Sequence, residues 1–321
     1  MSPRDYVSSC LFGPVRSRRL GISLGIDLIP PKTCTLDCVY CECGATTELT
    51  LTRGEYVPFE RVKTELKNFL DSKPALDFIT FSGSGEPTLY SRLGDVIRFL
   101  KSEYSSYKIA LITNSTLLNL KNVQEEIMDV DLLLPSLDAA TESVFKRINR
   151  PVAGIKVEQI IQGLAEVKRR FKGLMWLEVF IVPGINDDDA EVNALKDALI
   201  QINPDRVQLN SLDRPGTCDW VQTTAFERLD QIKKTFSPLS VEIISFKSLS
   251  TESENARNVA NQNIQDAILS TISRRPCTIE DLISITSSSK AQVSLSLQEL
   301  LANGRIAMKQ ESRGCFYRKA K

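Results

Sequence analysis

Short β-rich apolar runs alternate with amphipathic stretches from about Gly21 to Phe246. The runs are ISLGIDLIP (Ile22–Pro30), DFITFS (Asp77–Ser82), KIALIT (Lys108–Thr113), DLLLPSL (Asp131–Leu137), WLEVFIVP (Trp176–Pro183) and RVQLNSL (Arg206–Leu212), with VEIISF (Val241–Phe246) trailing. Each predicts a strand, and several are apolar throughout, the pattern of strands buried on both faces of a parallel sheet. Between them the sequence predicts helices near Phe59–Leu70, Leu89–Glu103, Leu117–Met128 and Ala225–Lys234. Two more show one apolar stripe each: Val157, Ile160, Ile161, Leu164 and Val167, then Val192, Leu195, Leu199 and Ile202. Six strand–helix units in succession predict an α/β fold, a parallel (β/α)6-type partial TIM barrel with right-handed crossovers. In such barrels the working residues stand at the C-terminal ends of the strands.

The pattern changes after the last strand. SLSTESENARNVANQN (Ser248–Asn263) is polar and predicts a linker, which divides the chain into a barrel domain at 1–247, the linker at 248–263 and a small domain at 264–321. In the small domain a helix is expected near Ile264–Ser273. A second starts at Thr278, with Asp281 three residues on as a relative of the capping box. A third near Lys290–Ala302 stops at Asn303-Gly304, and the runs RIAMK and CFYRK follow as a hairpin. Three helices and a hairpin predict a winged-helix-like unit. It carries nine Lys or Arg against five Asp or Glu, net +4, a bias that suits contact with nucleic acid but does not require it, so docking of a protein or peptide stays open.

Composition narrows the chemistry. The 321 residues are 42% hydrophobic and 25% charged, with 40 basic and 40 acidic side chains, an ordinary globular balance. Zero net charge argues against a nucleic-acid coat or a membrane adhesive. Histidine is absent, which removes His-based acid–base catalysis, Ser-His and Cys-His nucleophiles and any imidazole zinc site. No apolar run reaches the roughly 18 residues of a membrane-spanning helix, and Met1–Cys10 carries no export pattern. Eight cysteines in such a chain predict reduced thiols and a cytoplasmic protein.

Cys34, Cys38, Cys41 and Cys43 crowd into CTLDCVYCEC, just beyond a predicted strand, while Cys10, Cys218, Cys277 and Cys315 are scattered. Thiolates at such spacing bind a soft metal or an iron–sulfur cluster. Three of them on a tight loop leave one iron of a four-iron cube open, the mark of a catalytic centre. A zinc knuckle or a sealed four-cysteine cluster, with Cys43 as fourth ligand, is the alternative.

C-x3-C-x2-C with an aromatic, Tyr40, before the third cysteine resembles the radical S-adenosylmethionine (SAM) superfamily. The surrounding FGPVRSRRLGISLGIDLIPPKTCTLDCVYCECG more narrowly resembles iron–sulfur oxidoreductases related to the wyosine-type tRNA synthetases, a likeness covering about residues 11–246. The resemblance implies that Cys34, Cys38 and Cys41 hold a 4Fe–4S cluster, that SAM chelates the open iron, and that Tyr40 lies beside the adenine. A reduced cluster would then cleave SAM to methionine and a 5′-deoxyadenosyl radical. ITFSGSGEPTL supplies Gly83, Ser84, Gly85 and Glu86 after a buried strand, and resembles the family's Gly-Gly-Glu-Pro element that holds the SAM amino group, with Ser84 in place of a middle glycine. Glycines there allow close backbone approach, and the carboxylate can accept from an ammonium.

Other strand ends carry Thr113 and Asn114, Ser136 and Asp138, Glu178 and Asn186, and Gln208 and Asn210. The resemblance implies ribose contact by Ser136 or Asp138, with Asn114 nearby, and places VPGIND (Val182–Asp187) near the adenine. Arg214 and Cys218, after the sixth strand, could face substrate, and the Cys218 thiol could donate a hydrogen atom. Arg16, Arg18 and Arg19 lie ahead of the first expected strand, as anion ligands or as solvated charges. Wyosine-type enzymes carry a second cluster, whereas only Cys10 precedes the motif here. The leading expectation is therefore a radical SAM enzyme that needs a one-electron reductant such as flavodoxin or ferredoxin, and that modifies an RNA, with tRNA foremost, or a peptide. Its rival is a cluster-bearing regulator that binds DNA. On this reading the barrel cleaves SAM even without residues 264–321.

Overall fold

The computed structural model describes residues 9–17, 19–244, 264–286, 288–311 and 314–320. The chain enters as β1 (Leu11–Ser17) and turns into β2 (Gly21–Ile26). Two-residue strands β3 (Thr33–Cys34) and β4 (Glu48–Leu49) bracket the cysteine loop. Then come α1 (Phe59–Leu70), β5 (Phe78–Phe81), α2 (Leu93–Glu103), β6 (Lys108–Thr113), α3 (Lys121–Glu126), β7 (Leu132–Pro135), α4 (Glu142–Ile148) and α5 (Val157–Arg170). β8 (Leu174–Ile181), α6 (Asp189–Ile202), β9 (Arg206–Ser211), α7 (Phe226–Thr235) and β10 (Val241–Ile243) complete the barrel.

One sheet runs in the order β1-β2-β5-β6-β7-β8-β9-β10, parallel throughout except that β1 lies antiparallel on β2 at one edge. This is the expected partial barrel of six strand–helix units, extended at both ends. Alternate residues divide between its two faces. Ile79, Ile109, Leu111, Leu133 and Leu177 join the large core beneath the helices. Phe78, Ala110, Ile112, Leu132, Leu134 and Trp176 form a separate apolar cluster with Leu20. Further along the same parity the interior turns polar, through Asn114, Ser136, Glu178 and Asn210.

Several elements differ from the expected ones. β1 escapes its sequence because Gly13-Pro14 breaks the alternation, and the register slips between Phe12 and Val15. Arg16 therefore lies within a strand, and Arg18 falls outside the described residues. The helix expected from Leu89 starts only at Leu93, after a 3-10 turn at Pro87–Leu89. That expected from Leu117 is cut to α3, because Ser115 takes a left-handed φ of 70° and Leu117 and Leu118 are buried in a turn. The helical stretch between β7 and β8 is divided into α4 and the striped α5. The expected linker at 248–263 lies outside the described residues.

Beyond it stand α8 (Ile264–Ile272), α9 (Ile279–Thr286), α10 (Lys290–Ala302) and the antiparallel pair β11 (Ile306–Glu311) and β12 (Gly314–Lys319). They bury their own cluster, including Ile268, Leu282, Leu297 and Ile306. The capping relative is real: Thr278 N–H donates to Asp281 Oδ2 at 3.0 Å, and Asp281 N–H to Thr278 Oγ1 at 3.2 Å. All eight cysteines are free thiols, and among the described residues no helix is long and apolar enough to cross a membrane.

Candidate active site

The cysteine loop leaves the C-terminal end of β2 and is bound on two sides. Asp37 N–H donates to Asn149 O and Val39 N–H to Ile148 O, at 3.0 and 2.9 Å. Opposite, Cys218 N–H donates to Val39 O at 3.0 Å and Thr217 Oγ1 to Cys41 O at 3.1 Å. The segment after β9 thus backs the loop, and a Cβ at Gly216 would stand 2.8 Å from Tyr40 O. Cys218 is held by its backbone against this loop and partly buried beside the core. Arg214 does not face a substrate space. It is buried between Glu42 and Asp281.

Each motif sulfur accepts a hydrogen bond from a side chain of a different segment. Asn114 Nδ2 reaches Cys34 at 3.5 Å, Asn149 Nδ2 reaches Cys38 at 3.4 Å, and Lys32 Nζ reaches Cys41 at 3.2 Å. Cys43 behaves differently: its thiol donates, its one hydrogen lying between Cys41 and Gly83 O, the latter at 3.9 Å. Cys41 is lowered by the hydrogen bond from Cys43 and then, against burial, by the Lys32 ammonium. Burial, with Glu86 nearby, pushes Cys34 up to about 12, and burial with Asp138 nearby raises Cys38. A hydrogen bond to Cys41, together with burial, keeps the proton on Cys43.

Three soft donors, each with an N–H donor behind it, fit an iron–sulfur cluster, whose thiolates are tuned by such outer bonds. Among the described residues no three Cys, Asp or Glu side chains converge on a point that would hold a single metal ion.

Asn114, Ser136, Asp138 and Tyr40 meet around one crevice of about 40 Å³, together with Asn149. Ser136 Oγ has no hydrogen-bond partner among the described residues. Asp138 is engaged on both oxygens: Oδ2 accepts from Tyr40 OH at 2.5 Å and Asn149 Nδ2 at 2.7 Å, and Oδ1 from Phe180 N–H at 2.9 Å. Burial raises its acid to about 6, against the pull of those bonds. The Tyr40 ring stacks on Phe180, centroids 3.8 Å apart and 8° from parallel. Asn186, fully buried, ties Val182 N–H, Asp138 O and Phe180 O, each at 2.7 Å, and so shapes the VPGIND turn.

The Gly83–Glu86 loop is packed by protein. A Cβ at Gly83 would stand 2.1 Å from Asp27 Oδ1, and one at Gly85 2.2 Å from Thr33 O, so both glycines are required by neighbouring atoms. Glu86 Oε1 accepts from Thr88 N–H, Thr88 Oγ1 and Thr113 Oγ1, while Oε2 accepts from Asn114 N–H at 2.8 Å. Its carboxylate caps the 3-10 turn and joins the ends of β5 and β6, with acceptor capacity left on Oε2. Arg19, expected ahead of the barrel, reaches its interior and pairs with Glu178 at 2.5 Å.

Sequence reasoning missed Lys32, Asn149, Phe180 and Asp27. Only Asp27 left a signal, as a carboxylate inside an apolar run. Asn149 belongs to the C-cap of the unrecognised α4, and Lys32 works from a left-handed φ of 62° after two prolines.

The Radical SAM superfamily model matches residues 28–195. A UPF0026 protein of Methanocaldococcus jannaschii is 30% identical over 96% of this chain and 95% of its own length. A protein called GTPase Obg, of Brachyspira hyodysenteriae, is 34% identical over 92% of this chain, which spans only 43% of it. Among solved structures, a radical SAM methyltransferase from Sphaerobacter thermophilus shares the fold at 19% identity, with TM-score 0.54 over 69% of this chain and 66% of that one. With residues 28–195 matched and the archaeal relative aligned along almost its whole length, the chain belongs to the radical SAM superfamily, enzymes that use a 4Fe–4S cluster and SAM.

Proposed function

We propose that Cys34, Cys38 and Cys41 hold a 4Fe–4S cluster with one iron open to SAM, and that the chain uses it to modify an RNA substrate. A reduced cluster held there would supply the electron that cleaves SAM to methionine and a 5′-deoxyadenosyl radical, which would take a hydrogen atom from substrate. The observation that carries this reading is the set of three sulfurs, each with its own N–H donor, beside a fourth that donates instead. Lys32 adds a positive charge beside the thiolates, which favours the reduced cluster. Asp138 holds Tyr40 upright, and the free hydroxyl of Ser136 is the group available to a ribose. Oε2 of Glu86 is the acceptor for the SAM ammonium. The buried loops exclude water around these groups.

The substrate class rests on the C-terminal unit and on the narrower likeness to wyosine-type enzymes. Arg305, Arg318 and Lys319 are exposed, lie at one end of the β11–β12 pair and make no ion pair with another described residue, a patch suited to a polyanion. The partner is a one-electron donor of the flavodoxin or ferredoxin type, and the free thiols support a cytoplasmic setting. Anaerobically reconstituted protein given dithionite and SAM should form 5′-deoxyadenosine. No product above a Cys34, Cys38 and Cys41 triple-Ala control overturns the reading. RNA recovered from anaerobic preparations supports the substrate class, and a recovered peptide in its place reverses it.

A further inference from the structure

Two arginines, Arg214 buried and Arg274 partly buried, tie the C-terminal unit to the mouth of the barrel, and each ends on a loop of the active site. Arg274, in the turn after α8, lies over the Phe12 ring at 4.6 Å and brings its Nε to 3.6 Å from Asp27 Oδ2. Asp27 follows β2 and is 2% exposed. The same carboxylate accepts from the amide and the hydroxyl of Ser84, both at 3.2 Å, and presses against Gly83. On the other side of the mouth, Asp281 of α9 pairs with Arg214, whose Nε stands 3.5 Å from Glu42, the residue between Cys41 and Cys43.

A buried carboxylate keeps its charge only with a cation or several donors close by. Burial raises the Asp27 acid and the Arg274 charge lowers it, so the C-terminal unit supplies the countercharge that keeps Asp27 an acceptor for Ser84. Both Nε–H groups are buried without a hydrogen-bond partner. Each faces its carboxylate just beyond bonding distance, so each has a bond to gain from a small inward movement.

We propose that Arg274 is a positioning residue of the SAM site, acting through Asp27 on Gly83 and Ser84, and that seating of the C-terminal unit on the barrel mouth sets the affinity of that site. The proposal rests on the assignment of the Gly83–Glu86 loop to SAM made above. It replaces the expectation that the barrel handles SAM independently of residues 264–321. Whatever binds the C-terminal unit and draws it inward or outward then changes SAM affinity, and SAM must act back on the unit to the same extent.

Full-length protein, loaded anaerobically and matched for iron and sulfide, is tested for SAM binding by equilibrium dialysis. R274Q should weaken binding about tenfold, within the usual range of such couplings, and R274K should restore part of it. In a D27N background, where no buried charge needs neutralising, R274Q should cost little more, giving a clear interaction in the double-mutant cycle. In wild type, SAM should slow amide hydrogen exchange across 264–281, and in R274Q it should not. R274Q binding like wild type, an equal loss in both backgrounds, or unchanged exchange on adding SAM overturns the proposal alone. Cluster-loaded wild type that binds no SAM overturns the site assignment, and the proposal with it.

Discussion

At the residue scale the cysteine loop separates four thiols by what their hydrogens do. Cys34, Cys38 and Cys41 accept from Asn114, Asn149 and Lys32, while Cys43 donates. Ala at any of the first three should abolish the broad visible absorbance of the reconstituted protein, and Cys43→Ala should keep most of it; complete loss with Cys43→Ala would make the cluster a closed four-thiolate one. Asp138 gives a pH signature in the ligand-free protein. Its acid is raised from 3.8 to about 6 by burial, so the native state holds this proton more tightly than the unfolded chain. Its contribution to stability is therefore full below 3.8 and is lost as pH rises to about 6. Carboxyl carbon NMR should place the titration near 6, and Asp138→Asn should flatten the corresponding slope in urea midpoints. The sequence named Asp138 as a polar strand end. That its oxygens are taken by Tyr40, Asn149 and Phe180 followed from three separate segments meeting, which no local pattern encodes.

At the element scale the parallel strands and the striped helices were legible because burial imposes a period on them. α5 buries Val157, Ile160, Leu164 and Val167 as its stripe requires. Gly163 within it shows where that logic stops. On helix propensity alone Gly163→Ala should stabilise by about 1 kcal/mol. A Cβ there would stand 2.7 Å from Asn119 N and 2.8 Å from Leu118 O, both backbone atoms that cannot step aside. The substitution should instead destabilise by about 1–3 kcal/mol, the usual cost of overpacking. A rise in thermal midpoint would show that the α5 approach is looser than this. β1 and the 3-10 turn at Pro87–Leu89 were illegible for the converse reason, since Gly13-Pro14 and Glu86-Pro87 are local breaks that tertiary bonds repair.

At the scale of the whole molecule, charge is where sequence and structure part most. The net +4 of residues 264–321 reads as a basic surface. Part of it is already paired: Arg274 faces Asp27, and Lys309 pairs with the exposed Asp219 at 2.8 Å. Arg214, expected near substrate, is 6% exposed and clamped to the C-terminal unit. Arg214→Met should leave the Asp281 carboxylate buried without its cation and cost roughly 3–5 kcal/mol, read as a lower urea midpoint. Arg214→Met with Asp281→Leu should recover much of that loss, and a double variant no better than the single one would show the pair to be incidental.

The sequence by itself determined the barrel, its order of strands and helices, the three-thiol loop and the polar strand ends. Each of these is written in spacing along the chain: period 2 or 3.6 for burial, and three and two intervening residues for the thiols. Only the tertiary structure decided which N–H serves which sulfur, why Gly83 and Gly85 must be glycine, and that the C-terminal unit leans on the loops of the active site. Those facts depend on atoms distant in sequence being brought within bonding reach in a buried space, where a charge or donor without a partner is too costly to leave.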